Sequence, residues 1–331
     1  MTNAASYAWV PAPILAASLW LSACGGGATT AASTTPPATG MSSARQIGAG
    51  TPSADERACR SAGDARTCLA LGRRYELARG VDRSVPQALE LYRLACEQGL
   101  GAGCFAWLAL IDTDSYFWEQ REPALAASVA ACESDSADAC AAVGFAHDRG
   151  LGVDVDYAAA LRWYQSSCAS GSTRGCTGLA DLYWSGDGVE SDPQRAVHLY
   201  TQSCAADDPW ACSQLGHIYD EGEVVPQDYE RARELYERAC EGGDPLGCSN
   251  WGVVMLEGMG VTPSAERAAQ LFERGCREGD AGGCNELGLL YEHGRGVRRD
   301  LALARELFVQ ACMADVAEAC EGQARLDGDG D

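Results

Sequence analysis

Apolar and small residues recur along most of this chain with helical spacing. Ala232, Leu235, Tyr236, Ala239 and Cys240 stand three, one, three and one apart, the stripe of a helix with one buried face. The stripe returns at Ala160, Trp163, Tyr164, at Ala196, Leu199, Tyr200, at Ala268, Leu271, Phe272 and at Ala304, Leu307, Phe308. A shorter stripe precedes each, as in Leu215, Gly216, Tyr219 and in Leu287, Gly288, Tyr291, and predicts another helix. Between the two come glycine turns, Gly186 with Gly188 or Gly294 with Gly296. Asp156, Asp192, Asp228, Ser264 and Asp300 then stand where the second helix needs an N-cap. The pattern therefore predicts a series of helical hairpins.

Cysteine sets the period. Cys96, Cys132, Cys168, Cys204, Cys240, Cys276 and Cys312 are 36 residues apart, and so are Cys68, Cys104, Cys140, Cys176, Cys212, Cys248, Cys284 and Cys320. Cys59 precedes Cys68 by nine residues, where the other close pairs are separated by eight. This is a tandem repeat. Counting each unit from its first cysteine, glycine recurs at +4 (Gly72, Gly144, Gly216, Gly252, Gly288). A glycine inside a helix costs about 1 kcal/mol relative to alanine, so its return there points to close approach by the neighbouring helix.

The order Leu-Gly-x-x-Tyr, Gly-x-Gly-Val, Ala-x-x-Leu-Tyr, carried by residues 287–291, 294–297 and 304–308 and by 215–219, 186–189 and 196–200, resembles the Sel1-like repeat, a relative of the tetratricopeptide repeat. The added cysteine ladder is similar to the secreted, cysteine-rich bacterial branch of that family. The resemblance spans residues 68 to 320 and implies an all-α fold, a right-handed α/α solenoid of about seven 36-residue hairpins stapled by disulfides. It implies a binding scaffold more than an enzyme.

Two pairing schemes are open to the sixteen repeat cysteines. Residues eight apart in one continuous helix lie about 12 Å apart, too far for a disulfide, so local pairs need a chain reversal between them. The stretches Glu97–Gly103 and Glu241–Gly247 are rich enough in glycine and proline to supply one. The competing scheme joins the ends of one hairpin, such as Cys140 with Cys168, and leaves Cys59 and Cys320 over. Local pairing uses every cysteine and is preferred. Zinc fits poorly, because structural sites space their ligands C-x2-4-C and no pair here does.

The N-terminus carries a different signal. Residues 8–23 are apolar or small apart from Pro11 and Pro13 and end in Leu21-Ser22-Ala23-Cys24, which resembles a bacterial lipobox. The resemblance implies removal of residues 1–23, acylation of Cys24 and anchoring to a lipid bilayer through that residue alone. Gly25 after it resembles the outer-membrane pattern, although residues 1–7 lack the positive charge usual in an export signal. Residues 24–54 are mostly Gly, Ala, Ser, Thr and Pro and read as a flexible tether with a reach of roughly 30 Å. The expected division is thus signal 1–23, tether 24–54, solenoid 55–323 and acidic tail 324–331. Disulfides at this density are kept in periplasm or outside the cell, so the cysteines and the lipobox agree on export to the periplasm or cell surface.

Charge and composition then narrow the partners. Acidic residues outnumber basic ones 47 to 25, a formal charge of −22, which repels nucleic acid and leaves protein, peptide or glycan partners for a body expected to be monomeric. All 25 basic residues are arginine. Serine β-lactamase chemistry needs lysine and is excluded, and the four histidines, His147, His198, His217 and His293, share no common repeat position for a metal site. Neither a cofactor nor a metal is expected. Binding or slow hydrolysis of penicillin-type compounds, associated with the cysteine-rich relatives, is the alternative function. The acidic C-terminus Asp327–Asp331 opens like a calcium loop but stops before the completing ligand.

Two sets of side chains are candidates for binding. Tyr116, Phe117 and Trp118 replace the usual turn in the unit that departs most from the pattern, and aromatics of this kind dominate interface energetics. Trp184, Asp181, Asn250 and Asn285 stand on first helices, which in such solenoids line the concave face.

Overall fold

The computed structural model describes residues 54–328 except Asp114. The signal-like stretch 1–23, Cys24 and the tether up to residue 53 lie outside the described residues, as do residues 329–331. Among the described residues there are sixteen α-helices and no strand. A first helix α1 (Ala54–Ala62) precedes seven hairpins: α2 (Ala65–Glu76) with α3 (Val85–Glu97), α4 (Gly101–Thr113) with α5 (Arg121–Glu133), and α6 (Ala137–Arg149) with α7 (Tyr157–Ala169). Next come α8 (Thr173–Ser185) with α9 (Pro193–Ala205), α10 (Pro209–Glu221) with α11 (Tyr229–Gly242), α12 (Pro245–Glu257) with α13 (Ala265–Glu278), and α14 (Ala281–His293) with α15 (Leu301–Cys312). A closing helix α16 (Ala317–Gly328) caps the series, so the stretch expected as acidic tail begins helical, with Asp327 held by Arg305.

Local chemistry delimits the helices as the spacing predicts. Asp156, Asp192, Asp228, Ser264 and Asp300 each accept a backbone N–H of the first turn of their helix. The first helix of most hairpins ends in a left-handed glycine, for example Gly186 at φ 83° and Gly294 at φ 69°. Asp208, Asp244 and Asp280 cap the first helices α10, α12 and α14 in the same way.

The +4 glycines explain how each hairpin closes. A Cβ built on Gly144, Gly216, Gly252 or Gly288 would lie 2.7–2.8 Å from the ring of Tyr164, Tyr236, Phe272 or Phe308, the aromatic at +24 of the same unit. Those rings are essentially buried. Two units solve the same contact with other sizes: Ala180 stands opposite Tyr200, and Leu108 stands opposite Ser128. Where the ring is lost, the glycine is replaced by a larger side chain.

The ladder pairs locally. Eight disulfides join Cys59–Cys68, Cys96–Cys104, Cys132–Cys140, Cys168–Cys176, Cys204–Cys212, Cys240–Cys248, Cys276–Cys284 and Cys312–Cys320, with Cα atoms 4.4–4.8 Å apart. Each ties the last turn of one unit's second helix to the first turn of the next unit, so the bridges staple neighbours and not the two ends of a hairpin. Arginines reinforce the same junctions: Arg238 donates to the Cys204 carbonyl at 2.8 Å and Arg274 to the Cys240 carbonyl at 2.6 Å. Each of these carbonyls also accepts a backbone N–H, Cys204 from Asp207 and Cys240 from Gly243, so the arginine adds a second, charged donor at the negative end of the helix.

Consecutive first helices touch one another, α2 with α4, α4 with α6, α6 with α8, α10 with α12 and α12 with α14, whereas among second helices α3 and α5 approach similarly. The first helices therefore line the inner side of the curve. The curvature brings Arg79, in the first hairpin's turn, within 3.3 Å of Glu278 at the end of α13.

Candidate functional site

The inner face is built from positions that do not follow the repeat. On α4, α6, α8 and α10 two groups of side chains reach from unit to unit. Phe105 and Phe145 pack with ring centroids 4.9 Å apart, and the Arg174 guanidinium lies 5.3 Å from the Phe105 ring. Arg174 also pairs with Asp138 at 3.4 Å, and the Ser172 hydroxyl donates to that same carboxylate at 2.7 Å. Further along, Asp181 Oδ1 accepts from the Tyr200 hydroxyl at 2.5 Å and from Trp210 Nε1 at 3.5 Å. Trp210 is 38% exposed, a large surface for an indole in a packed solenoid.

The tyrosines that fill the hairpins also hold acids beside this face. Tyr164 donates to Asp148 and Tyr236 to Asp220, each at 3.4 Å, and Tyr92 bonds Glu76. These acids stand at +8. In the unit of Phe272, which has no hydroxyl to satisfy, position +8 is Leu256. In the unit of Tyr200, position +8 is Trp184, and the hydroxyl turns instead to Asp181 at +5.

This displacement has an electrostatic consequence. Burial pushes the Asp181 carboxyl up to about 7; the hydrogen bonds from Tyr200 and Trp210 work against the rise, and the charges of Asp148 and Asp208 add to it. Asp148 is raised to about 6, again by burial first, with Arg149 pulling down. Burial also drives the Tyr164 and Tyr200 phenols well above their ordinary value. Burial thus disfavours the charged form of both carboxyls; Arg149, which also pairs with Asp112 at 3.0 Å, offsets part of the rise at Asp148, while Arg174 is engaged with Asp138.

The candidate residues fall into different places. Asp181 lies on α8 where Tyr200 of α9 and Trp210 of α10 meet it. Trp184 is half-buried against the core of the fourth and fifth hairpins, and Asn250 is half-buried on α12. Asn285 is only 6% exposed and packs inside α14, because +1 shares the helix face of the apolar +4 position, as buried Thr177, Ser213 and Ser249 do in their units. Of the aromatic trio, Tyr116 is 82% and Trp118 63% exposed, while Phe117 is half-buried against the core of the second hairpin. Their segment is a 3-10 helix (Ser115–Gln120) whose Gln120 accepts the indole N–H of buried Trp107 at 3.0 Å. Trp210, Tyr200, Asp148, Arg174 and Phe105 were not legible as site residues. The acid at +5 where its neighbours carry one at +8 is the signal that points to Asp181 and its surroundings.

The family described as Sel1 repeat matches residues 65–100, 137–172, 173–208, 211–244, 245–280 and 281–316, six units that omit the aberrant second hairpin. Among solved structures, a protective antigen of uropathogenic Escherichia coli with an SLR fold is similar over 82% of this chain at 25% identity and a TM-score of 0.51. This chain spans 58% of the length of that antigen. A Sel1 repeat protein from Oxalobacter formigenes is similar over 77% of this chain and 89% of its own, at 22% identity and a TM-score of 0.51, a likeness of fold. No curated protein matches the chain.

Proposed function

The chain belongs to the Sel1 repeat family, whose members are protein-interaction scaffolds, and from that premise we propose that it is a membrane-tethered extracytoplasmic scaffold that binds a protein or peptide partner along the inner face of its solenoid. The observation that carries this reading is the two groups, Phe105, Phe145, Arg174 and Asp138, and Asp181 with Trp210, which together span four first helices with mixed aromatic and ionic contacts. Such a surface offers anchors for a bound chain. The second patch, at Tyr116 and Trp118, is a further candidate contact outside the groove.

The disulfides support an oxidising compartment, since bridges of this density do not persist in a reducing cytosol. The lipobox supports the finer placement: Cys24 acylated, residues 24–54 spanning the distance from the bilayer, and the body held at the periplasmic or outer surface of the outer membrane. No lysine exists for serine β-lactamase chemistry, which supports binding over turnover.

Site-specific photo-crosslinking tests the reading. A benzophenone amino acid placed at Trp210 or Arg174, on the inner face, should yield one discrete adduct in the exporting cell, while the same group at Glu190 or Glu234, in a turn and on a second helix, should not. Adducts from the outer positions alone, or covalent labelling of the purified protein by a fluorescent penicillin, would contradict a groove-binding scaffold.

A further inference from the structure

The solenoid curves far enough for its first hairpin to reach the fifth and sixth. Arg79, in the turn between α2 and α3, donates from Nη2 to Glu278 Oε1 at 3.3 Å, a contact between residues 199 positions apart. A Cβ built on Gly243, the left-handed cap of α11, would lie 3.9 Å from the same nitrogen. Both sides of the contact are braced. Arg74 Nε donates to the Arg79 carbonyl at 3.2 Å, the Arg79 N–H donates to the Arg74 carbonyl at 2.9 Å, and Arg74 Nη1 reaches Asp55 of α1 at 2.9 Å. On the far side Arg274 lies 3.4 Å from Glu278 Oε1 and donates to the Cys240 carbonyl. Glu278 stands at +30, where the other units carry Gln98, Ser134, Ser170, Ala206, Gly242 and Ala314. A charge thus occurs at this position only in the unit that Arg79 meets. Its side chain is 9% exposed, and Oε2 is buried with no hydrogen bond.

We propose that Arg79 and Glu278 form a releasable latch that closes one coil of the solenoid, and that a partner reaches the inner face when the latch opens. The proposal rests on the scaffold reading and adds the means of entry. Among the described residues neither helix of the first hairpin shares a packed face with any of α11 to α14, so the closure depends on this polar contact. An ion pair with one half-exposed partner shifts an equilibrium by about fivefold or less, which leaves the open coil accessible. The unpaired Oε2 works in the same direction, because water satisfies it once the coil opens. Curvature is the sum of small rotations at successive units, so a slight change at each junction is enough to part Arg79 from Glu278.

Spin labels on ketone-bearing residues at the exposed positions Asp82 and Arg277 of the purified full chain read the span by double electron–electron resonance. The parent should show a dominant short distance at about 50 mM salt that gives way to a longer, broader one at about 1 M, an arm that needs no variant. Arg79→Ala should lower the ratio of short to long population about fivefold, and Arg79→Glu should leave mainly the long one. Arg79→Lys, which keeps the charge, should stay close to the parent. Arg83→Glu, the same charge change in the same turn, should leave the distances as they are. In the exporting cell Arg79→Glu should speed the appearance of the Trp210 benzophenone adduct several-fold. Distances in Arg79→Glu equal to the parent's, or the same lengthening in Arg83→Glu, overturn the latch. A lengthened span with an unchanged adduct rate overturns its control of entry. No adduct in parent or variant overturns the scaffold reading and entry control together, while the distances still decide the latch.

Discussion

Full reduction of the eight bridges should abolish the cooperative thermal transition of the solenoid. Each bridge closes a loop of about nine residues and contributes on the order of 2–3 kcal/mol in the chain-entropy account, against a whole-domain stability of about 5–15 kcal/mol. The terms do not add fully, but a repeat array holds together through nearest-neighbour interfaces, and every bridge here sits on one of them. Position should matter accordingly. Replacing the central pair, Cys204→Ala with Cys212→Ala, weakens the junction between the fourth and fifth hairpins and should lower the midpoint by about 5–10 °C. Replacing Cys312 and Cys320 releases only α16 and should shift the main transition little. Circular dichroism melts with and without a phosphine reductant read both effects; a reduced protein that still melts cooperatively near the oxidised midpoint would contradict the stapling role.

Substitution of Gly252 by leucine should destabilise the protein by roughly 3 kcal/mol or more, the second large effect. The missing Cβ would already lie 2.7 Å from the fully buried Phe272 ring, so the ring or the helix must move. Overpacking in a close-packed core costs about 1–3 kcal/mol and more where nothing can yield, and the gain of about 1 kcal/mol in helix propensity offsets only part. The second hairpin shows the compensated arrangement, Leu108 opposite Ser128, both buried. Gly252→Leu combined with Phe272→Ser should therefore be more stable than the sum of the two single changes, by on the order of 1 kcal/mol or more in a double-mutant cycle read by urea denaturation. Strict additivity would show that these positions do not share one space.

The difference between what could and could not be read in this sequence follows from periodicity. The helices, their aspartate caps, the +4 contact and the local cysteine pairs each recur at 36 residues, and each repetition removes one ambiguity that a single copy would leave. Even the pairing scheme turned on a count, since joining hairpin ends strands Cys59 and Cys320. The inner face obeys the opposite rule: position −2 is Asp138, Arg174, Trp210 and Leu246 in successive units, so no period marks it. Asn285 illustrates the cost of reading polarity alone, for its amide is buried although Phe105, at the same +1 position of the second hairpin, reaches the inner face. Asp181 was legible by type and helix, but its electrostatic weight depends on Tyr200 and Trp210 arriving from two other helices. Contacts assembled from three helices leave no spacing to read.

Cysteine supports both the fold and the proposed address of this protein, so its chemical state in the native membrane is the most direct test. Protein extracted from membranes of the exporting cell is digested without reduction and mapped by mass spectrometry. The account predicts a mature N-terminus at acylated Cys24 and eight disulfide-linked peptides, each joining cysteines eight or nine residues apart. Free thiols at the repeat positions, or an unprocessed chain with unmodified Cys24, would contradict the stapled and tethered scaffold.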